Sequence, residues 1–311
     1  MLRRRSVAAK QGGRIAGTPW ELRKLLSDGA AAPLVSRPAT EPLDVAIVLS
    51  EPGGQPPEQL LGALAGAVAV RFVTASGARA AADADVVLAA GWAAAPAVLR
   101  LPGVRARAVV ATDEPAALGY LGWTEGVPVL GPPWLGGSLP AAADAVYEPM
   151  PVHRRDELVL VHGDDVLALL AAAELLERRP ALSIAVSGTA AERDLPFPCL
   201  RIEPGAQALA HAFSSATVAF APPVRGWRPA AVAMLACGQA VVASGGDGRA
   251  EQALGEAVAF ARSPTAAADA AERLIDDLEM RADRARAGFG LVDGGWPRVA
   301  TELVAQLRAL G

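Results

Sequence analysis

Residues 157–188 read ELVLVHGDDVLALLAAAELLERRPALSIAVSG, and their order of apolar and polar positions decides the fold. Glu157–Gly163 is a short unbroken apolar run closed by glycine, the mark of a strand buried on both faces. Asp165–Arg178 reads as a helix that stops at Arg178-Arg179-Pro180, because proline cannot continue it. Leu182–Gly188 is a second strand of the same kind. Strand, helix, strand in this rhythm predicts a crossover unit and therefore a parallel sheet.

The rhythm extends in both directions. Toward the C-terminus, strands are expected at Cys199–Glu203, Thr217–Pro222 and Ala240–Ser244, with helices at Ala206–Ser214 and Pro229–Ala236. Two long Ala/Arg/Glu helices, Thr265–Ala287 and Trp296–Leu310, close the chain. Toward the N-terminus, Asp44–Leu49, Val68–Val73 and Ala84–Ala90 read as strands, with shorter ones at Val109–Ala111 and Val127–Leu130. Helices are expected at Trp20–Leu26, behind Thr18-Pro19, and at Glu58–Ala67. Ala30–Pro42 is a Pro- and Ala-rich linker, and the pattern restarts after Tyr147-Glu-Pro-Met-Pro151. The expected organisation is a basic arm and linker over 1–40, a Rossmann-like domain over 41–150 and a second over 151–311. The fold class is α/β, with two Rossmann-like domains facing a cleft.

Composition narrows the function classes. The 311 residues suffice for two cores, and the 52% hydrophobic fraction with only 5% aromatics favours thin, closely packed elements. Residues 1–40 carry Arg3, Arg4, Arg5, Lys10, Arg14, Arg23, Lys24 and Arg37 against Glu21 and Asp28, about +6, whereas the whole chain is at −4. An acidic body argues against nucleic acid as the partner. The arm, residues 1–14, suits weak contact with an anionic membrane; a solvated terminus is the other reading. Mean hydropathy is +0.29, yet no apolar run reaches the roughly 18–20 residues that span a bilayer. Arg3–Arg5 lead into no apolar signal region. Cys199 and Cys237 form no CxxC, so a reducing cytoplasm and no metal site are expected.

In open parallel sheets, ligands bind beyond the carboxyl ends of the strands. Those ends carry Gly53 and Gly54, Trp92, Asp113 and Glu114, His162 and Gly163, Gly188, Arg225, Gly226 and Arg228, and Gly246, Arg249 and Glu251. Glycines there let backbone N–H groups approach an anion, although turn geometry alone also explains them. Asp113 and Glu114 are candidates to orient an acceptor hydroxyl or take its proton, and equally candidates to cap the next helix. His162 reads as a ligand contact or as a hydrogen-bonded structural residue, and His211 as a surface or satisfied core residue. Arg225, Arg228 and Arg249 suit bidentate phosphate binding or plain solvation. Trp92, Trp134 and Trp227 read as stacking platforms or as plugs between domains. No strand is followed by G-x-G-x-x-G with a later acid, which weakens a dinucleotide enzyme.

The stretch Ile202–Ser244, IEPGAQALAHAFSSATVAFAPPVRGWRPAAVAMLACGQAVVAS, resembles the donor domain of retaining GT-B glycosyltransferases of the large family 4 group. Leu209–Val218 is similar to its helix-to-strand entry, and Met234–Ser244 to its helix–glycine–strand segment. Gly245-Gly-Asp-Gly-Arg-Ala-Glu251 follows as that group's Gly-rich turn and acid, and GGWPRVATELVAQL as its terminal helix. TDEPAALGYLG and GPPWLGGSL resemble segments of bacterial rhamnosyltransferase-like members. The likeness covers residues 157–311 well and 43–150 loosely.

The resemblance implies a nucleotide-sugar donor bound as substrate by the second domain, with no other cofactor and no metal. It implies a glycan, a lipid-linked or other cell-envelope acceptor, or a small molecule, on the first domain, and hexosyl or deoxyhexosyl transfer in polysaccharide biosynthesis. Attack on the same face, helped by the donor's own phosphate, leaves electrostatic stabilisation of the diphosphate to the protein. Two departures stand out. The two glutamates eight positions apart that hold sugar and ribose in the family align with Arg225 and Ala233. The family's Arg/Lys clamp aligns with HGDDVLALL, where Asp164 and Asp165 stand. These departures support an alternative, a catalytically degenerate glycosyltransferase-like protein that serves as a binding or partner subunit.

Overall fold

The computed structural model describes residues 43–49, 61–62, 64, 68–91, 94–104, 106–110, 128–152, 157–245 and 248–310. The basic arm, the helix expected at Trp20–Leu26, and Gly53, Gly54, Trp92, Asp113, Glu114 and Gly246 lie outside these residues. The chain forms two compact units, Met1–Gly131 with Leu303–Gly311, and Pro132–Glu302.

Among the described residues, the first unit holds five parallel strands: β1 (Leu43–Leu49), β2 (Val68–Thr74), β3 (Val86–Ala90), β4 (Ala106–Val110) and β5 (Val129–Leu130), ordered β2-β1-β3-β4-β5. All five residues of β3 are buried, which is why this strand reads as an apolar run without alternation. Ala46, Val48, Val87 and Ala89 pack on one face against Ala95 and Val98 of helix α1 (Ala95–Leu99). At the edge, Arg71 pairs with Asp44 at 3.2 Å and with Asp83.

The second unit has six parallel strands: β6 (Leu158–His162), β7 (Ser183–Ser187), β8 (Leu200–Arg201), β9 (Val218–Ala221), β10 (Val241–Ser244) and β11 (Val258–Ala261), ordered β11-β10-β9-β6-β7-β8. Helix α2 (Val166–Arg178) and helix α6 (Pro264–Asp276) cover one face. Their Ala168, Ala171, Ala172, Ala267, Ala268 and Ala271 meet Val159, Val161, Val218 and Phe220 of the sheet. Alanines at these contacts keep the helix layer thin, and each large strand side chain so buried contributes about 1.5–3 kcal/mol. On the solvent side, Arg178 bonds Glu174, Asp269 and Glu272, while Arg179 bonds Asp276. Helices α3 (Ala206–Ser215), α4 (Ala230–Ala236), α5 (Arg249–Leu254), α7 (Leu278–Val292) and α8 (Gly295–Leu310) complete the order. Among the described residues, no helix is long and apolar enough to cross a membrane.

Two expectations need correction, and one strand carries no sequence signal. The single helix at Thr265–Ala287 is two, because Asp277 adopts an extended backbone (φ −101°, ψ 96°) and its carboxylate accepts from Met280 N at 2.9 Å. One residue thus ends α6 and caps α7. Of Cys199–Glu203 only Leu200 and Arg201 pair in the sheet, both exposed at its edge. Strand β11 was not anticipated, since VAFA is too short to distinguish from a buried loop.

Helix α7 contains a glycine whose role is packing. A Cβ at Gly288 would overlap Cδ2 of the fully buried Leu235 on α4 and crowd its Cγ at 3.2 Å. In an open helix Gly→Ala stabilises by up to about 1 kcal/mol, but overpacking costs about 1–3 kcal/mol. Urea unfolding should therefore show Gly288→Ala destabilised, while Gly290→Ala, with nothing within 4 Å of the added methyl, is neutral or more stable.

Candidate ligand site of the second unit

The site begins where β6 and β7 end. Gly163 and Gly188 take left-handed backbone conformations, with φ +80° and +66°, which glycine adopts without strain. A Cβ at Gly188 would lie 3.2 Å from Cε1 of His162 and 3.3 Å from Gly163 N, so the two strand ends approach closely. Gly163 N donates to Ser187 O at 3.0 Å, locking the pair. His162 Nδ1 shares a hydrogen bond of 2.9 Å with the hydroxyl of the fully buried Ser187, and its ring stands edge-on to Phe213 with centroids 5.6 Å apart. Burial lowers the imidazole pKa below its ordinary value, so the ring is neutral at pH 7.

The two aspartates that follow have protein partners. Asp165 is the N-cap of α2, accepting from Leu167 N at 3.4 Å, and its other oxygen accepts from the Ser244 hydroxyl at the end of β10. Asp164 pairs with Arg193 at 2.8 Å. A carboxylate at a helix N-terminus is favoured by the helix dipole, so these charges stabilise the β6–α2 turn.

The loop between β9 and α4, residues 222–229, is held at three consecutive positions. Buried Trp134 donates from Nε1 to Gly226 O at 2.6 Å. Trp227 stacks on Trp296, with ring centroids 6.5 Å apart and planes at 27°. Arg228 pairs with Asp144, whose other oxygen accepts from Trp296 Nε1 at 3.0 Å. Between these anchors and buried Val224, Arg225 is exposed. Burial, and then the charge of Asp144, raises the pKa of the Tyr147 phenol.

A cavity of about 290 Å³ opens beside His162, lined among others by Asp144, Tyr147, Phe213, Arg228 and Ala233. The structure thus brings His162 and Arg228 to one cavity, with Ser187 and Gly188 behind the histidine. Arg249 starts α5 and is half-buried; each carboxylate oxygen of Glu251 accepts from Arg262, at 3.0 Å. His211 is exposed on α3, its carbonyl accepting from Ser215. Trp134 and Trp227 serve as loop anchors. Sequence reading missed Asp144 and Tyr147, whose signal is faint: an acid and a phenol three positions apart in an alanine-rich segment. Buried Cys237, its thiol pushed up to about 12 chiefly by desolvation, stays protonated.

A change of pH tests the histidine environment. A histidine whose folded-state pKa is depressed penalises the folded state once protonated, so stability falls as pH drops from about 6.5 toward the lowered value. Unfolding at pH 7 and pH 5 should show a smaller pH-dependent loss in His162→Gln than in the unmodified protein. Equal losses would contradict the depressed imidazole.

The sequence matches no protein-family profile, and no curated protein sequence matches it. Solved structures do. Sucrose-phosphate synthase from Thermosynechococcus elongatus is 14% identical, with 86% of this chain and 99% of that one covered and a TM-score of 0.62. HepE (Alr3699) of Anabaena, solved with UDP, is 13% identical over 86% of this chain and 100% of its own, with a TM-score of 0.57. A Listeria monocytogenes protein assigned as a UDP-N-acetylglucosamine 2-epimerase is 11% identical over 86% and 96%, with a TM-score of 0.56. Together with the two parallel sheets and their helices, these likenesses establish the fold as α/β with two Rossmann-like domains of the GT-B type.

Proposed function

We propose that this chain is a glycosyltransferase that binds a nucleotide-sugar through its second unit and passes the sugar to a glycan or lipid-linked acceptor. The observation that carries this reading is the cavity at the carboxyl end of β6, bordered by the anchored 222–229 loop. In parallel α/β sheets that is where ligands bind, and the neighbours of this fold include one solved with UDP. The resemblance to family 4 transferases in residues 202–244 points the same way. Their places at the ends of strands make Asp113 and Glu114 candidates for the acceptor side, and Gly163, Gly188, Gly226, Arg249 and Glu251 candidates for the donor side.

Charge favours Arg225 as the phosphate contact. Arg228 shares its charge with Asp144, and Asp164 and Asp165 have protein partners, whereas Arg225 stands exposed at the loop. A hydrogen bond to a charged group contributes about 1.5–3 kcal/mol, so Arg225→Ala should weaken nucleoside-diphosphate binding by at least about tenfold. Calorimetry with UDP, GDP and dTDP and their sugars tests this. A second reading, a scaffold that has lost donor chemistry, is favoured by Arg225 and Ala233 standing where the family has glutamates. It requires that no nucleotide bind at millimolar concentration.

The setting we propose is cytoplasmic, with the basic arm touching the anionic inner face of the membrane. Each basic residue near such a surface contributes roughly 1 kcal/mol. Liposomes containing phosphatidylglycerol should pellet the full chain at low salt and release it at high salt, and residues 15–311 should pellet less. Equal pelleting of the two would remove the arm from the account.

A further inference from the structure

We propose that the cavity beside His162 takes a deoxygenated sugar ring, one whose carbon facing helix α4 carries hydrogen or methyl in place of a hydroxyl. The inference rests on the nucleotide-sugar reading and names the kind of sugar within it. At about 290 Å³ the cavity lies near the lower end of small-molecule sites, roughly 300–1,000 Å³. It holds a ring-sized portion of a nucleotide-sugar.

The wall supplied by α4 is hydrocarbon. Of its seven residues, Ala231, Val232, Met234, Leu235 and Ala236 are buried in the unit's core. Ala230 and Ala233, one turn apart, are the two left to line the cavity, and Leu209 and Phe213 of α3 extend the apolar surface. The polar lining comes from other elements: Asp144 and Tyr147 from the segment ahead of β6, His162 from its end, and Arg228 from the loop.

Neither Ala230 nor Ala233 offers a hydroxyl a side-chain partner, and part of the polar lining is already engaged. Each carboxylate oxygen of Asp144 receives a hydrogen bond, one from Arg228 and one from Trp296 Nε1, and His162 Nδ1 is held by Ser187. A hydroxyl turned toward Ala230 and Ala233 would lose water without finding a partner, which is unfavourable. A hydrogen or methyl there loses nothing and gains contact. We assign this chemistry to one of two positions on a nucleotide-sugar: the 2′ carbon of a deoxyribonucleotide or the 6 carbon of a 6-deoxyhexose.

Titration calorimetry on the full chain separates the sources with two ligand pairs, UDP against dUDP and dTDP-glucose against dTDP-6-deoxyglucose. The expected result is a preference of roughly tenfold or more for the deoxygenated member of one pair. Preference for dUDP places the nucleotide's ribose in the cavity; preference for the 6-deoxy sugar places the transferred ring there. Ala233→Glu, which adds an acceptor to the hydrocarbon wall, should shrink or reverse whichever preference is found. Binding of the hydroxylated member as tightly or more tightly in both pairs overturns the inference while leaving the nucleotide-sugar reading standing. No binding by any of the four removes that reading and the inference together.

Discussion

The carboxylate of Asp144 is the point on which the candidate site depends. It lies in a segment without helix or strand, yet it holds Arg228 from the β9–α4 loop and Trp296 from the start of α8. Trp296 in turn stacks on Trp227, and Trp134 holds the carbonyl of Gly226. Ordering a loop costs roughly 1–2 kcal/mol per residue in backbone entropy. No strand ladder offsets that cost over residues 222–229, so the tethers must. Without Asp144, an exposed guanidinium and an indole N–H would both lose their acceptor. The shape of the cavity wall is therefore set by side chains 84 and 152 residues from Asp144 in sequence.

That separation explains which parts of the site were legible. His162, Gly163 and Gly188 could be read because they end apolar runs, and the end of a parallel strand has a fixed meaning in such folds. Strands β1, β3, β6, β7, β9 and β10 were readable for a related reason: burial on both faces removes alternation and leaves unbroken Val, Leu and Ala. Asp144 and Tyr147 carry no such signal, since their role arises only when distant loops meet. The break at Asp277 was missed because both flanking segments share one Ala/Arg/Glu composition. A lone aspartate inside that composition reads as surface charge until its cap geometry is seen.

Electrostatics resolve a tension in the sequence. The resemblance calls for cations after the first strand of the second domain, and the chain has Asp164 and Asp165. Both have local explanations: one caps α2 and binds Ser244, and the other pairs with Arg193. Asp165 uses both oxygens to join the N-terminus of α2 to the end of β10, so it ties two strand ends that border the ligand side of the sheet. Arg225 and Arg228 lie on the loop after β9, and Arg249 starts α5 after β10.

Alanine does two jobs in the second unit, and they are physically linked. On α2 and α6 it lets helices lie close to one another and to the sheet, with Ala171, Ala172, Ala267 and Ala271 fully buried. On α4 the same small side chain faces two ways. Ala231 and Ala236 fit the tight core, while Ala230 and Ala233 leave space on the side toward His162. The far side of α4 cannot yield, because Leu235 is pinned against Gly288 of α7 without room for a single methyl. A helix fixed that firmly on one face does not shift to fill a void on the other, and packed interiors resist such movement in general. The cavity therefore persists as open space, bounded on one side by two methyl groups and on another by a loop held in place by Asp144.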